Sequence, residues 1–150
     1  MSTLYDRADP SDRRRFLLSI NPRMVGTDMG ESLRDLFAVE VNFRHALWKG
    51  EAEDPDLCYE NLYHCALLLH ALGDVNDVPA LWRAKRMNMD TSTGMEIEYL
   101  LGAGVAATTS YVQEHGLYDI LAYQEIASFT DEHLAEWFEM TIQYHCGSNS

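Results

Sequence analysis

Beyond Arg86 this 150-residue chain contains no lysine and no arginine. Its cations total 11 against 24 Asp and Glu, a formal charge of -13, and phosphate binding requires a cationic surplus on at least one face. Nucleic acid is therefore excluded as the direct partner. Cysteine is scarce as well: Cys58, Cys65 and Cys146 are an odd set in a chain long enough for a core, so no disulfide framework is expected and a reducing cytoplasm fits best. Long apolar runs are missing. The stretch from Cys65 to Leu72 is interrupted by His70 and falls far below the ~20 residues that cross a bilayer, so no membrane is expected. The short apolar segment Phe16 to Leu18, after Arg13, Arg14 and Arg15, has no cleavage site behind it and is not read as a signal peptide. Nine glycines and four prolines are too few for a low-complexity polymer.

What is present is a 47% hydrophobic chain of ordinary domain length, able to bury roughly 70% of its unfolded surface. The spacing of its apolar residues is helical throughout. We expect an all-α fold, an irregular α-α stack of about six to seven helices in a single domain over residues 1–150. Residues 1–28, punctuated by Asp9-Pro10, Asn21-Pro22 and Gly26, read as an irregular arm with one short helix from Asp12 to Ile20. A firm helix follows from Glu31 to Lys49, with Leu33, Leu36, Phe37, Val41, Leu47 and Trp48 at helical intervals and Gly50 as its left-handed stop. Asp54-Pro55 reads as the start of the next helix, which Gly73 ends. Its apolar residues wrap almost right round, the pattern of a central helix. Glu60 and His64, four apart on its polar strip, are expected to pair. After a polar break at Asn88 to Thr93, helices are expected over Gly94 to Leu101, Val105 to Glu114 and Leu117 to Ala127. Thr130 then caps a final amphipathic helix with Leu134, Trp137, Phe138 and Thr141 on one face and Glu132, Glu136 and Glu139 on the other.

Charge is unevenly distributed. Residues 1–49 hold eight cations against seven carboxylates, and residues 50–86 three against seven. After Arg86 come ten carboxylates: Asp90, Glu96, Glu98, Glu114, Asp119, Glu125, Asp131, Glu132, Glu136 and Glu139. Unless folding returns the N-terminal arginines to them, they set up a negative field that attracts a basic protein. The plainer reading is solubility alone.

Signatures of chemistry are weak. Gly102-Ala103-Gly104-Val105-Ala106-Ala107 matches the dinucleotide fingerprint, but that site needs a strand before it and alternating strands and helices around it. Close packing across small residues explains it more simply. No histidine or cysteine pair has a zinc spacing, and no cofactor or metal is expected. Cys65 among leucines is expected to be inert, Glu96 and Glu98 point to different sides of a helix, and no nucleophile elbow exists, so the chain is not read as an enzyme. Trp82-Arg83-Ala84-Lys85-Arg86 places three cations beside a large aromatic. This group either neutralises C-terminal carboxylates and dresses a helix end or forms a contact patch anchored by Trp82 or Arg83.

The turn from the leucine-rich helix through Gly73-Asp74 into Val78-Pro79-Ala80-Leu81 resembles that of HEAT-type α-α repeats, over about twenty residues and without a second copy. Trp82-Arg83-Ala84-Lys85, Asn88, Asp90-Thr91, Gly94 and Leu101-Gly102-Ala103-Gly104 together resemble small helical immunity proteins of bacterial polymorphic toxin systems. The resemblance implies a cytoplasmic, non-enzymatic inhibitor of a basic toxin domain, a nuclease or deaminase. No residue-level assignment follows from the resemblance; the charge distribution and the cationic cluster make Glu96, Glu98, Asp131, Glu132, Glu136 and Glu139, with Trp82 and Arg83, the expected partner-binding residues. A HEAT-like scaffold or adaptor, and a small nucleotide-binding protein built on the Gly102 to Gly104 loop, are the alternatives.

Overall fold

The computed structural model describes residues 5–121 and 128–147, and among them it is all-α, with no strand. Eight helices follow one another: α1 Pro10–Leu18, α2 Gly30–Trp48, α3 Asn61–Leu72, α4 Val78–Lys85, α5 Met89–Gly94, α6 Val105–Glu114, α7 Tyr118–Leu121 and α8 Asp131–Cys146. The expected helix from Leu117 is present as α7, and residues 122–127 of it lie outside the described residues.

The centre of the fold is α3. Ten successive residues, Asn61 to His70, are buried, as the all-round apolar pattern predicts. Its strongest packing is against α2, and α1, the 3-10 turn Ile97–Leu101 and α8 cover its other sides. Leu33, Leu36 and Phe37 supply the inner face of α2, but Glu40 and Arg44 continue that buried stripe, whereas Trp48 is exposed. Gly73 closes α3 in the left-handed conformation (φ 73°), which costs glycine nothing.

Three boundaries differ from the sequence reading. Asp54-Pro55 does not open α3. The Asp54 carboxylate instead accepts from Cys58 N at 2.7 Å and Tyr59 N at 2.8 Å, capping the 3-10 turn Cys58–Glu60, so α3 begins at Asn61. Leu57, just before that turn, is left-handed (φ 57°, ψ 43°), a conformation that costs a non-glycine residue about 1–2 kcal/mol. The polar break at Asn88 to Thr93 holds α5, opened by a reciprocal capping box between Asn88 and Thr91. Residues 97–101 then form a tighter 3-10 turn instead of an α-helix from Gly94.

The N-terminal arm is more ordered than its punctuation suggests. Asp9 caps α1 and Pro10 stands at its first position. Arg13 is buried, donating to Glu40 from Nε at 2.7 Å and from Nη2 at 3.3 Å. Asn61 Nδ2 donates to the same carboxylate at 3.3 Å and to Pro10 O at 3.0 Å, so one ionic cluster joins α1, α2 and α3. Burial raises the Glu40 carboxyl above its ordinary value, and the Arg13 guanidinium brings it only part of the way back. The three cysteines are free, with Cys65 fully enclosed and its thiol pushed up by burial.

Candidate functional site

The Gly102 loop has a structural reason for its small residues. A Cβ on Gly102 would lie 2.2 Å from His70 O, so only glycine lets this turn press against α3. No strand precedes it, since residues 97–101 are helical. Gly104 (φ 98°) caps α6, and Asp131 Oδ1 lies 3.6 Å from the Cβ position of Gly104. A carboxylate beside this turn disfavours a phosphate at the N-terminus of α6. Among the described residues no group of three metal-ligating side chains converges.

The expected acidic contact residues fall in two places. Thr130 caps α8 by accepting from His133 N at 3.0 Å, and Glu132, Glu136 and Glu139 are exposed on its outer face while Leu134, Trp137 and Thr141 are buried; Asp131 is exposed in the first turn on the side of Gly104 and Leu134. Glu139 is held by Arg23, which keeps that carboxyl below its ordinary value through the hydrogen bond. No ion pair reaches Asp131, Glu132 or Glu136 among the described residues. Glu96 is exposed and accepts from Trp137 Nε1 at 3.3 Å. Glu98 departs from the outward set: it is buried and meets His133 Nε2 at 3.1 Å. Both contacts tie the 96–98 segment to α8.

The cationic cluster on α4 divides into separate roles. Lys85 is buried, its Nζ donating to Ser92 O at 2.8 Å and to Met95 O, so it holds the end of α5 against α4. Arg83 and Lys85 lie in the last turn of α4, where the helix dipole favours them. Arg86 stacks over the half-buried Trp82 ring at 5.3 Å, and Arg83 is exposed. Neither arginine pairs with a carboxylate among the described residues.

The expected Glu60–His64 pair does not form. Tyr144 Oη donates to Glu60 Oε1 at 3.1 Å, and Glu60 Oε2 is sealed from water without a hydrogen-bond partner. His64 stacks on His145 at 5.2 Å and faces Cys146 Sγ at 3.9 Å. Burial pushes His64 down to about 4 and His145 to about 3, so the seam between α3 and α8 is uncharged at neutral pH.

Sequence reasoning missed a groove beside Glu60. It is a cleft of about 750 Å³ walled by Arg44, Trp48, Leu57, Tyr59, Tyr63 and Met89 among others. Arg44 lies over the Tyr59 and Tyr63 rings at 5.2 and 5.1 Å and donates to Tyr59 O and Tyr63 Oη. The Tyr59/Tyr63 spacing was the only local hint, and it does not distinguish a groove wall from core. Compared with known proteins, the chain matches no family model, no curated protein and no solved structure.

Proposed function

We propose that this chain is an acidic helical inhibitor that binds and neutralises a basic protein, as immunity proteins do with toxin domains. The observation that carries this reading is where the arginines go. Arg7 pairs with Asp35, Arg13 with Glu40, Arg15 with Asp12, and Arg34 with Asp74 and Asp77, all within the first 86 residues. Among the described residues, Arg23 is the one arginine that pairs with a carboxylate beyond Arg86, at Glu139. Asp131, Glu132 and Glu136 are thus left without an ion pair among the described residues, and a surface of unbalanced sign steers a partner of opposite sign. A nuclease or deaminase toxin is the partner chemistry that fits, because its nucleic-acid groove is cationic and an acidic protein competes for it.

The test is affinity capture from the source cell at low and at high salt, read by mass spectrometry. A stoichiometric basic protein that is released progressively as salt rises supports the reading. A near-neutral partner that is insensitive to salt favours a scaffold and overturns it, as does co-purification of a metabolite with no protein partner.

A further inference from the structure

Two clefts share Glu60, Tyr63 and Gly94 as common wall. The first, about 750 Å³, is rimmed by Trp48, Leu57, Tyr59 and Met89, and the second, about 420 Å³, by Met140 and Tyr144. All six side chains are exposed. Single exposed apolar residues are ordinary, but six along one double groove form a patch of the kind that binds another molecule. Leu57 sharpens the point. It is the one non-glycine residue with positive φ among the described residues, and this strained position holds an apolar side chain 64% exposed to water.

The charge of the groove says what it takes. Asp54, Glu60, Asp90 and Glu96 line it, against Arg44 as its one cation. Asp54 is engaged in capping and Glu96 by the Trp137 indole, but Glu60 keeps Oε2 without a hydrogen-bond partner while Oε1 accepts from the exposed Tyr144. Arg44 already shows how a guanidinium settles here, within 5.2 and 5.1 Å of the centres of two tyrosine rings. Planarity and a forked set of donors favour arginine over lysine for a site that combines aromatic faces with a carboxylate.

We propose that this double groove is the docking site for an arginine-bearing segment of a basic protein, with apolar residues flanking the arginine. The apolar flanks lie on Leu57, Met89 and Met140, and the guanidinium takes the Glu60 carboxylate in place of the Tyr144 hydroxyl. The proposal rests on the inhibitor reading and divides its labour: the outer face of α8 steers, and the groove binds.

The test titrates the ¹⁵N-labelled full chain with acetyl-Leu-Arg-Leu-amide, and in parallel with the matched Leu-Lys-Leu and Leu-Ala-Leu peptides. Saturable shifts are expected at the Trp48 indole and at the amides of Leu57, Tyr63 and Gly94. The arginine peptide should bind about fivefold more tightly than either control, and about fivefold more weakly to Glu60→Gln. Leu57→Gly is the control for folding, because it relieves the left-handed strain. Its melting temperature should hold or rise while groove binding falls. Equal binding of the three peptides, or unchanged binding by Leu57→Gly, overturns the proposal. Shifts confined to Glu132 and Glu136 also overturn it, yet leave the inhibitor reading standing. A captured basic partner that binds Leu57→Gly and Tyr144→Ala as it binds the unaltered chain likewise overturns the groove and leaves the inhibitor reading in place. If capture finds no basic partner at all, the inhibitor reading falls and the peptide titration still decides the groove.

Discussion

Helices α2 and α8 both pack against α3, and they do so by opposite chemistry. The α2 seam is ionic: Glu40 is buried between Arg13 and Asn61, and the exposed Asp35 of α2 is answered by Arg7. The α8 seam is neutral at its inner side, where His145 stacks on His64, Phe138 stacks on His70 and Trp137 meets His70 at a tilt. On its outer side α8 carries carboxylates of which only Glu139 has an arginine among the described residues. A helix glued by charge on the inside has little charge to offer outside. A helix glued by neutral rings keeps its charges for solvent or a partner.

Acid should separate the two seams most strongly. Burial lowers His64 and His70 each to about 4 and His145 to about 3, against an unfolded value near 6.5. A lowered imidazole contributes stability that is complete above pH 6.5 and is lost as pH falls toward its folded value. For His64 and His70 the loss is on the order of 3 kcal/mol each by about pH 4. Glu40 works in the other direction, because its raised carboxyl takes up a proton more readily when folded than when unfolded. Urea unfolding between pH 7 and pH 4 should show the decline, and amide exchange should show α8 losing protection before α2. A flat profile would refute the neutral-seam account.

Next in size is Arg13→Met, which strands Glu40 in the interior and should cost about 3–5 kcal/mol by chemical denaturation. Adding Glu40→Leu should restore much of it, since a buried ion pair replaced by apolar groups is often close to neutral. Loss of protection should centre on α1 and α2 and leave the His64–His145 stack in place.

Gly102→Ala tests the support beneath the α8 seam. The added methyl meets His70 backbone, which cannot yield as a flexible side chain would, and about 1–3 kcal/mol of stability should be lost. An unchanged melting temperature would show that α3 and the 97–101 turn are less closely pressed.

The smallest effect on stability belongs to the outer face. Glu132→Lys with Glu136→Lys should leave stability within about 0.5 kcal/mol, since both are exposed and neither is in an ion pair among the described residues. Association with a basic partner at low salt should nevertheless slow by about tenfold or more. If stopped-flow rates and their salt dependence are unchanged, this face does not steer.

Much of this architecture was readable locally. Gly50 and Gly73 stop their helices in the left-handed conformation, Thr130 caps α8, and the two faces of α8 separate as their spacing requires. The errors also have local causes. Asp54-Pro55 carries a helix-start signature, yet the carboxylate caps the turn that follows. Met89 to Gly94 has no apolar periodicity, so a helix held by its capping box and by Lys85 reads as a break. The groove was out of reach altogether, because its walls come from α2, the loop before α3, α5 and α8.

The all-α class, the buried character of α3, the amphipathicity of α8 and the absence of cations after Arg86 were determined by sequence alone, because periodicity and charge count depend only on order along the chain. Which arginines meet which carboxylates was decided by the tertiary structure, and so was the meeting of Glu60 with Tyr144. Ion pairing and burial depend on which distant residues the packing of α1, α2 and α8 around α3 brings within a few ångströms, and no local pattern encodes that.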